Sequence, residues 1–134
     1  MVALLGGLIW GAWGRSDVAE ALQAAELRGE LLAARAAVLD ARVAIYNVNF
    51  GEASGHLENA RALLGRANER LARLDRDDDV TPGQTALASI NDAQRLAGKL
   101  DQSANSRAGE AAKMLASMLD REATRLRDAG LQQD

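Results

Sequence analysis

LQAAELRGELLAARAAVLDARVAIYNV, residues 22–48, reads as a helix with two apolar seams. One seam runs Leu22, Ala25, Gly29, Leu32, Ala36, Leu39, Val43, Tyr46; the other runs Leu27, Leu31, Ala34, Val38, Ala41, Ile45, Val48. Both advance in alternating steps of four and three residues, and at about 100° per residue their centres lie roughly 160° apart. A helix apolar on one stripe coats a core, whereas one apolar on two calls for cover on both sides. The expectation is a helix at the centre of a helical assembly. Val38, Ile45 and Val48 would pack in one layer, covered by a second helix. Leu39, Val43 and Tyr46 would pack in the other, covered by later helices or by another chain.

Working outward, Asp17 with Glu20 forms a capping pair for a first helix over residues 17–48, about 48 Å long. The first seam continues in phase through Phe50, Ala53, Leu57, Ala60, Leu64, Ala67, Leu71 and Leu74. That continuity admits one helix over residues 17–76, a rod of about 90 Å. The second seam stops at Val48, however, and Asn49-Phe50-Gly51-Glu52 pairs a cap residue with Glu three positions on. The expectation is a helix–turn–helix at this point. Asn47 and Asn49, beside Tyr46 and Phe50, either end and cap the two helices or line a groove between them.

Phe50, Ala53, Leu57 and Ala60 follow the aromatic-x-x-Ala-x-x-x-large-x-x-Ala order of the second helix in tetratricopeptide repeats. Residues 41–76 thus resemble one tetratricopeptide-type hairpin, and the resemblance implies an interaction scaffold. The Trp, Leu, Gly and Tyr of that repeat's first helix have no counterpart here, so no ligand-binding residue is carried over.

Beyond the second helix, Asp77-Asp78-Asp79 reads as an acidic loop, and Thr81-Pro82-Gly83-Gln84 as a cap, a first-position proline and a capping-box partner. A third helix beginning at Pro82 would present Ala86, Ile90, Ala93, Ala97 and Leu100 on its apolar face. The polar run 101–106 either separates a fourth helix or lies within one long helix. That last stretch carries Ala111, Met114, Leu115, Met118 and Leu119, with Ala129-Gly130 as its stop. Residues 131–134 form a frayed tail.

Composition limits the chemistry. The 134 residues fit one domain, with 48% apolar and 26% charged residues, a globular balance. Aromatics are only 3%, and much of the apolar fraction is alanine, which buries little area per residue and favours association with a partner. A net charge of −3, with acids and bases alternating as in Glu58/Arg61, Glu69/Arg73 and Glu110/Lys113, lacks the clustered basic footprint of nucleic-acid binding. The absence of cysteine excludes disulfides, thiol catalysis and thiolate metal sites. His56 is the only histidine and reads as a helix-surface residue, with no nucleophile arranged around it. Asp75, Asp77, Asp79 and Thr81 have the opening spacing of a calcium loop. Val80 and Ala86 stand where that loop needs glycine and glutamate. Met114 and Met118 read as gap-filling core. No cofactor or metal is implied, and no enzyme.

Residues 2–14, VALLGGLIWGAWG, carry no charge and precede Arg15. Thirteen helical residues reach about 20 Å, short of a ~30 Å hydrocarbon core. The favoured expectation is a membrane anchor over residues 1–15. Leu4, Leu5, Leu8 and Ile9 would sit in lipid, Trp10 and Trp13 at the interface, and Arg15 would reach the headgroups. Gly7 and Gly11 would allow close helix pairing there. The shortfall in length then places the expected start upstream of Met1. A signal-peptide remnant and an apolar arm packed on the bundle are the alternatives.

Together these readings predict an all-α fold: antiparallel helical hairpins forming a three- to four-helix bundle over residues 16–130, behind a short N-terminal apolar membrane helix. The expected role is protein–protein contact or self-association, with Val38, Leu39, Val43, Ile45, Tyr46, Val48 and Phe50 as the interaction residues. The partner would be another protein or a second copy, with no nucleic acid. The expected place is a bacterial inner membrane, single pass, with the domain in the periplasm. A dimeric coiled-coil spacer built on the continuous helix is the alternative.

Overall fold

A computed structural model describes the backbone of residues 2–131 and the side chains of residues 18–130. The predicted anchor residues Leu4, Leu5, Leu8, Ile9, Trp10 and Trp13, and the predicted tail 131–134, lie outside the described side chains. Among the described residues there are four helices: α1 (Val2–Tyr46), α2 (Phe50–Arg73), α3 (Asp77–Gly98) and α4 (Ala104–Leu131). Each packs on the next, and α4 returns to α1, so the four close a ring. There is no strand among the described residues. The expected all-helical bundle is therefore present, in four-helix form.

The chain reverses between Tyr46 and Phe50, which replaces the continuous helix over 17–76 with two antiparallel ones. The predicted cap is formed. Asn49 Oδ1 accepts from the Glu52 backbone N–H at 3.2 Å, and Asn49 Nδ2 donates to the Glu52 carboxylate at 2.7 Å. Before the cap, the Val48 N–H donates to the Ile45 carbonyl (2.9 Å) and the Asn49 N–H to the Ala44 carbonyl (2.8 Å), the paired bonds of a Schellman ending. The same pair recurs at Asp75 and Arg76 after α2, and at Leu100 and Asp101 after α3. One turn design thus serves all three corners. Val48, Asp75 and Leu100 occupy its left-handed position with φ of 60°, 53° and 57°.

Several sequence expectations are corrected here. α1 runs through Asp17, so Asp17 and Glu20 open no helix. α3 begins at Asp77, five residues before the predicted start, because three aspartates in its first turn face the positive end of the helix dipole. Pro82 lies inside α3, where its missing N–H leaves the Asp78 carbonyl without its helical donor. Leu100 lies in the following turn and is exposed rather than part of the α3 face. α4 passes through Ala129 and Gly130 to Leu131.

The core is mostly alanine and leucine. Ala53, Leu57, Ala60, Leu64, Ala67 and Leu71 form the inner face of α2, and Ala86, Ile90, Ala93 and Ala97 that of α3. Ala104, Ala108, Ala111, Leu115 and Met118 complete it from α4. Small side chains at these positions let the helix axes approach, at the expense of buried area per residue. Gly83 shows the closeness: a Cβ there would collide with the Asn68 side chain.

Candidate functional site

The two seams of α1 meet different fates. Leu27, Leu31, Ala34, Val38, Ala41 and Ile45 of the second seam are all buried against the rest of the bundle. The first seam is bare. Leu22, Leu32, Val43 and Tyr46 are 56%, 47%, 60% and 79% exposed, and Ala25, Gly29 and Ala36 lie open between them. Only Leu39 of that seam is half-buried, packed against the core. Val18, one step upstream in the same phase, is also exposed. The layer expected to be covered by later helices or by another chain is thus uncovered in the single chain, because α1 packs on α2 and α4, against the seam that is buried.

The predicted interaction residues therefore divide. Val38 and Ile45 belong to the core, Phe50 is buried at the start of α2, and Val43 and Tyr46 are exposed on the bare stripe. Val48, predicted to pack beside Ile45, sits in the first turn and is exposed, because the helix ends at Tyr46 and its left-handed backbone carries the side chain off the seam.

From Val18 to Tyr46 the stripe covers about 42 Å of helix. Two shallow grooves lie along it beside α4. One, of about 350 Å³, runs past Ala25, Gly29 and Leu32 to Leu126; the other, of about 320 Å³, past Leu39, Val43 and Tyr46 to Asn105. Leu126, itself exposed, extends the apolar surface onto α4. Nothing in the 3–4 spacing of α1 announces that contribution.

The flanks of the stripe differ in charge. Toward α4 stand Arg28, Arg35 and Arg42, with Arg42 Nε donating to Asn105 Oδ1 at 2.7 Å and stacked over Gly109. Toward α2 stand Glu26 and Asp40. Glu26 meets Arg70 of α2 at 2.6 Å, and Arg70 also reaches Glu30 at 3.1 Å. The hydrogen bonds that Arg70 donates to Glu30, then the charges of Glu30 and Glu26, hold the Arg70 guanidinium above its ordinary pKa despite partial burial.

A second polar feature lies at the far end of the bundle. Asp79 of α3 and Glu122 of α4 are buried, and Arg76, Arg121 and Arg125 converge on them. Arg76 and Arg125 bond the carboxylates directly, whereas Arg121 Nε and Asp79 Oδ1 lie 2.9 Å apart without hydrogen-bond alignment. Burial alone would lower the Arg125 pKa, but the hydrogen bond and charge of Asp79, with those of Glu122, raise it. Each carboxylate is held by at least one guanidinium group. The cluster clamps the α2–α3 corner to α4. Asp79, expected in an acidic loop, is instead buried in the first turn of α3, and its partners lie far beyond i,i+3 or i,i+4 spacing.

His56 lies 3.5 Å from Glu52 one turn before it, on the part-exposed side of α2. Of the surface pairs, Glu58 and Arg61 approach to 3.8 Å, while Glu110 pairs with Arg107 rather than Lys113. Among the described residues, no group of three or more His, Cys, Asp or Glu side chains is placed to hold a metal, and no helix is long and apolar enough to cross a membrane. No protein family, curated protein or solved structure matches the chain.

Proposed function

We propose that this protein is a membrane-tethered, non-catalytic helical module that works by protein–protein contact through the outer face of α1. The observation that carries the reading is the bare stripe itself. Large apolar side chains exposed in line over four turns and more are costly in water and mark a surface that is covered in use. The core does not need them. The uncharged run 2–14 supports a tether at the N-terminal side, which we place in a bacterial inner membrane with the bundle on the periplasmic face. The likeness of residues 41–76 to a tetratricopeptide hairpin supports the same class of activity.

Site-specific photo-crosslinking in cells tests it. A photoreactive residue at Leu32 or Val43 should give covalent protein adducts, while the same probe at Ala62 or Ala88, exposed on α2 and α3, should not. Equal labelling at all four positions, or none on α1, would remove the basis for this assignment.

A further inference from the structure

We infer that the partner of the α1 stripe is a second copy of this chain, aligned in parallel. The inference rests on the docking role proposed above and adds the occupant, the direction and the register. The stripe is a heptad seam, with Leu22, Gly29, Ala36 and Val43 at one core position and Val18, Ala25, Leu32, Leu39 and Tyr46 at the other. The residues preceding the first set are Ala21, Arg28, Arg35 and Arg42, and those following the second are Ala19, Glu26, Ala33, Asp40 and Asn47. One border is basic or neutral throughout, and the other acidic or neutral.

That asymmetry selects a direction. In a parallel pair each residue of the basic border faces the acidic border of the partner five positions on. Arg35 then meets Asp40 of the other copy, twice by symmetry, and Arg28 and Arg42 meet Ala33 and Asn47. Ala21 meets Glu26. No like charges oppose. An antiparallel pair would instead set the arginine border against itself and the acidic border against itself, a repulsive match along the whole seam.

The monomer leaves the complementary groups free. Among the described residues, neither Arg35 nor Asp40 makes an ion pair or side-chain hydrogen bond, and both reach solvent. By contrast Glu26 and Arg42, which need no charged partner in the dimer, are engaged within the bundle by Arg70 and Asn105.

A stripe about 42 Å long and about 10 Å wide covers roughly 400 Å² per copy, about half of what a standard stable interface buries on each side. The pairing is accordingly weak in dilute solution and is favoured where copies share a membrane, which raises their effective concentration. A parallel arrangement also keeps both N-terminal segments on one side.

Charge exchange between copies provides the test, using the full chain in mild detergent and sedimentation equilibrium. Arg35→Glu and Asp40→Arg should each weaken self-association about tenfold, with helical content unchanged by circular dichroism. An equimolar mixture of the two should recover wild-type association, because both cross-pairs are then attractive. Ala36→Cys, the sole thiol in the chain, should oxidise to a covalent dimer, while Ala62→Cys should not. Wild type that stays monomeric at high concentration overturns the second copy. If Leu32 then still crosslinks to other proteins, the docking role survives without it. Charge variants that associate like wild type, as pairing through residues 2–14 alone would give, overturn the register.

Discussion

Val48, Asp75 and Leu100 hold the same left-handed place in the three corners of the bundle, and none is glycine. An L residue there brings its Cβ against the following carbonyl, and the crowding is worst for a β-branched side chain. Val48 is exposed, so nothing in the packing compensates. Val48→Gly should therefore stabilise the fold by about 1 kcal/mol, read as a higher urea midpoint at unchanged slope. An unchanged or lower midpoint would mean that the turn carries no strain. A second residue-scale effect belongs to Asp101, which receives the Ser103 backbone N–H at 2.9 Å and the Ser103 hydroxyl at 2.7 Å just before α4. Those bonds, the backbone one first, with smaller help from Lys99 and Arg95, hold its carboxyl below the usual range. The folded pKa lies under the unfolded one, so as pH falls the unfolded chain takes up the proton first. The contribution is complete above the ordinary carboxylate pKa of about 4 and lost as pH drops through the native value. The Tm advantage of wild type over Asp101→Asn should be present at pH 7 and vanish in strong acid. A constant difference across that range would exclude the linkage.

At the scale of elements, the legible parts were those whose signals are local. The start of α2 was readable because Asn49 and Glu52 satisfy each other's backbone and side chain within one turn. Its inner face was readable from the 3–4 spacing of Phe50, Ala53, Leu57 and Ala60. The start of α3 was not, because Thr81-Pro82 imitates a cap whereas Arg76, before the real start, makes no side-chain cap bond. The three Schellman corners were hidden for a related reason: their usual mark is glycine, and here Val, Asp and Leu take its place. Which seam of α1 would be buried was also beyond local reading. Both seams carry four or more large apolar side chains, and only the closing of the ring makes one of them inner. The alanine of the core gives a direct check on that inner face. Ala60 is fully buried and Ala62, half a turn away, is exposed. Ala60→Leu should destabilise by about 1–3 kcal/mol through overpacking, and Ala62→Leu by less than about 0.5 kcal/mol. Equal effects in chemical denaturation would contradict the close approach of α2 to its neighbours.

For the whole molecule, folding and association draw on opposite faces of one helix, and the two are separable. Leu27, Leu31, Val38 and Ile45 hold α1 to the bundle; Leu22, Leu32 and Val43 touch little of it. Replacing the second group with glutamine should leave the isolated bundle within about 0.5 kcal/mol of wild type, whereas Leu31→Gln alone would bury an unpaired amide and unfold much of the population. Self-association adds a second signature, since a partner that binds only the folded state stabilises it by mass action. Wild-type Tm should therefore climb with protein concentration, and the triple variant Leu22→Gln/Leu32→Gln/Val43→Gln should give one Tm at every concentration. At high dilution the two proteins should melt together. If the triple variant instead melts lower even when dilute, the stripe contributes to the fold of the single chain, and its exposure would have to be explained without a partner.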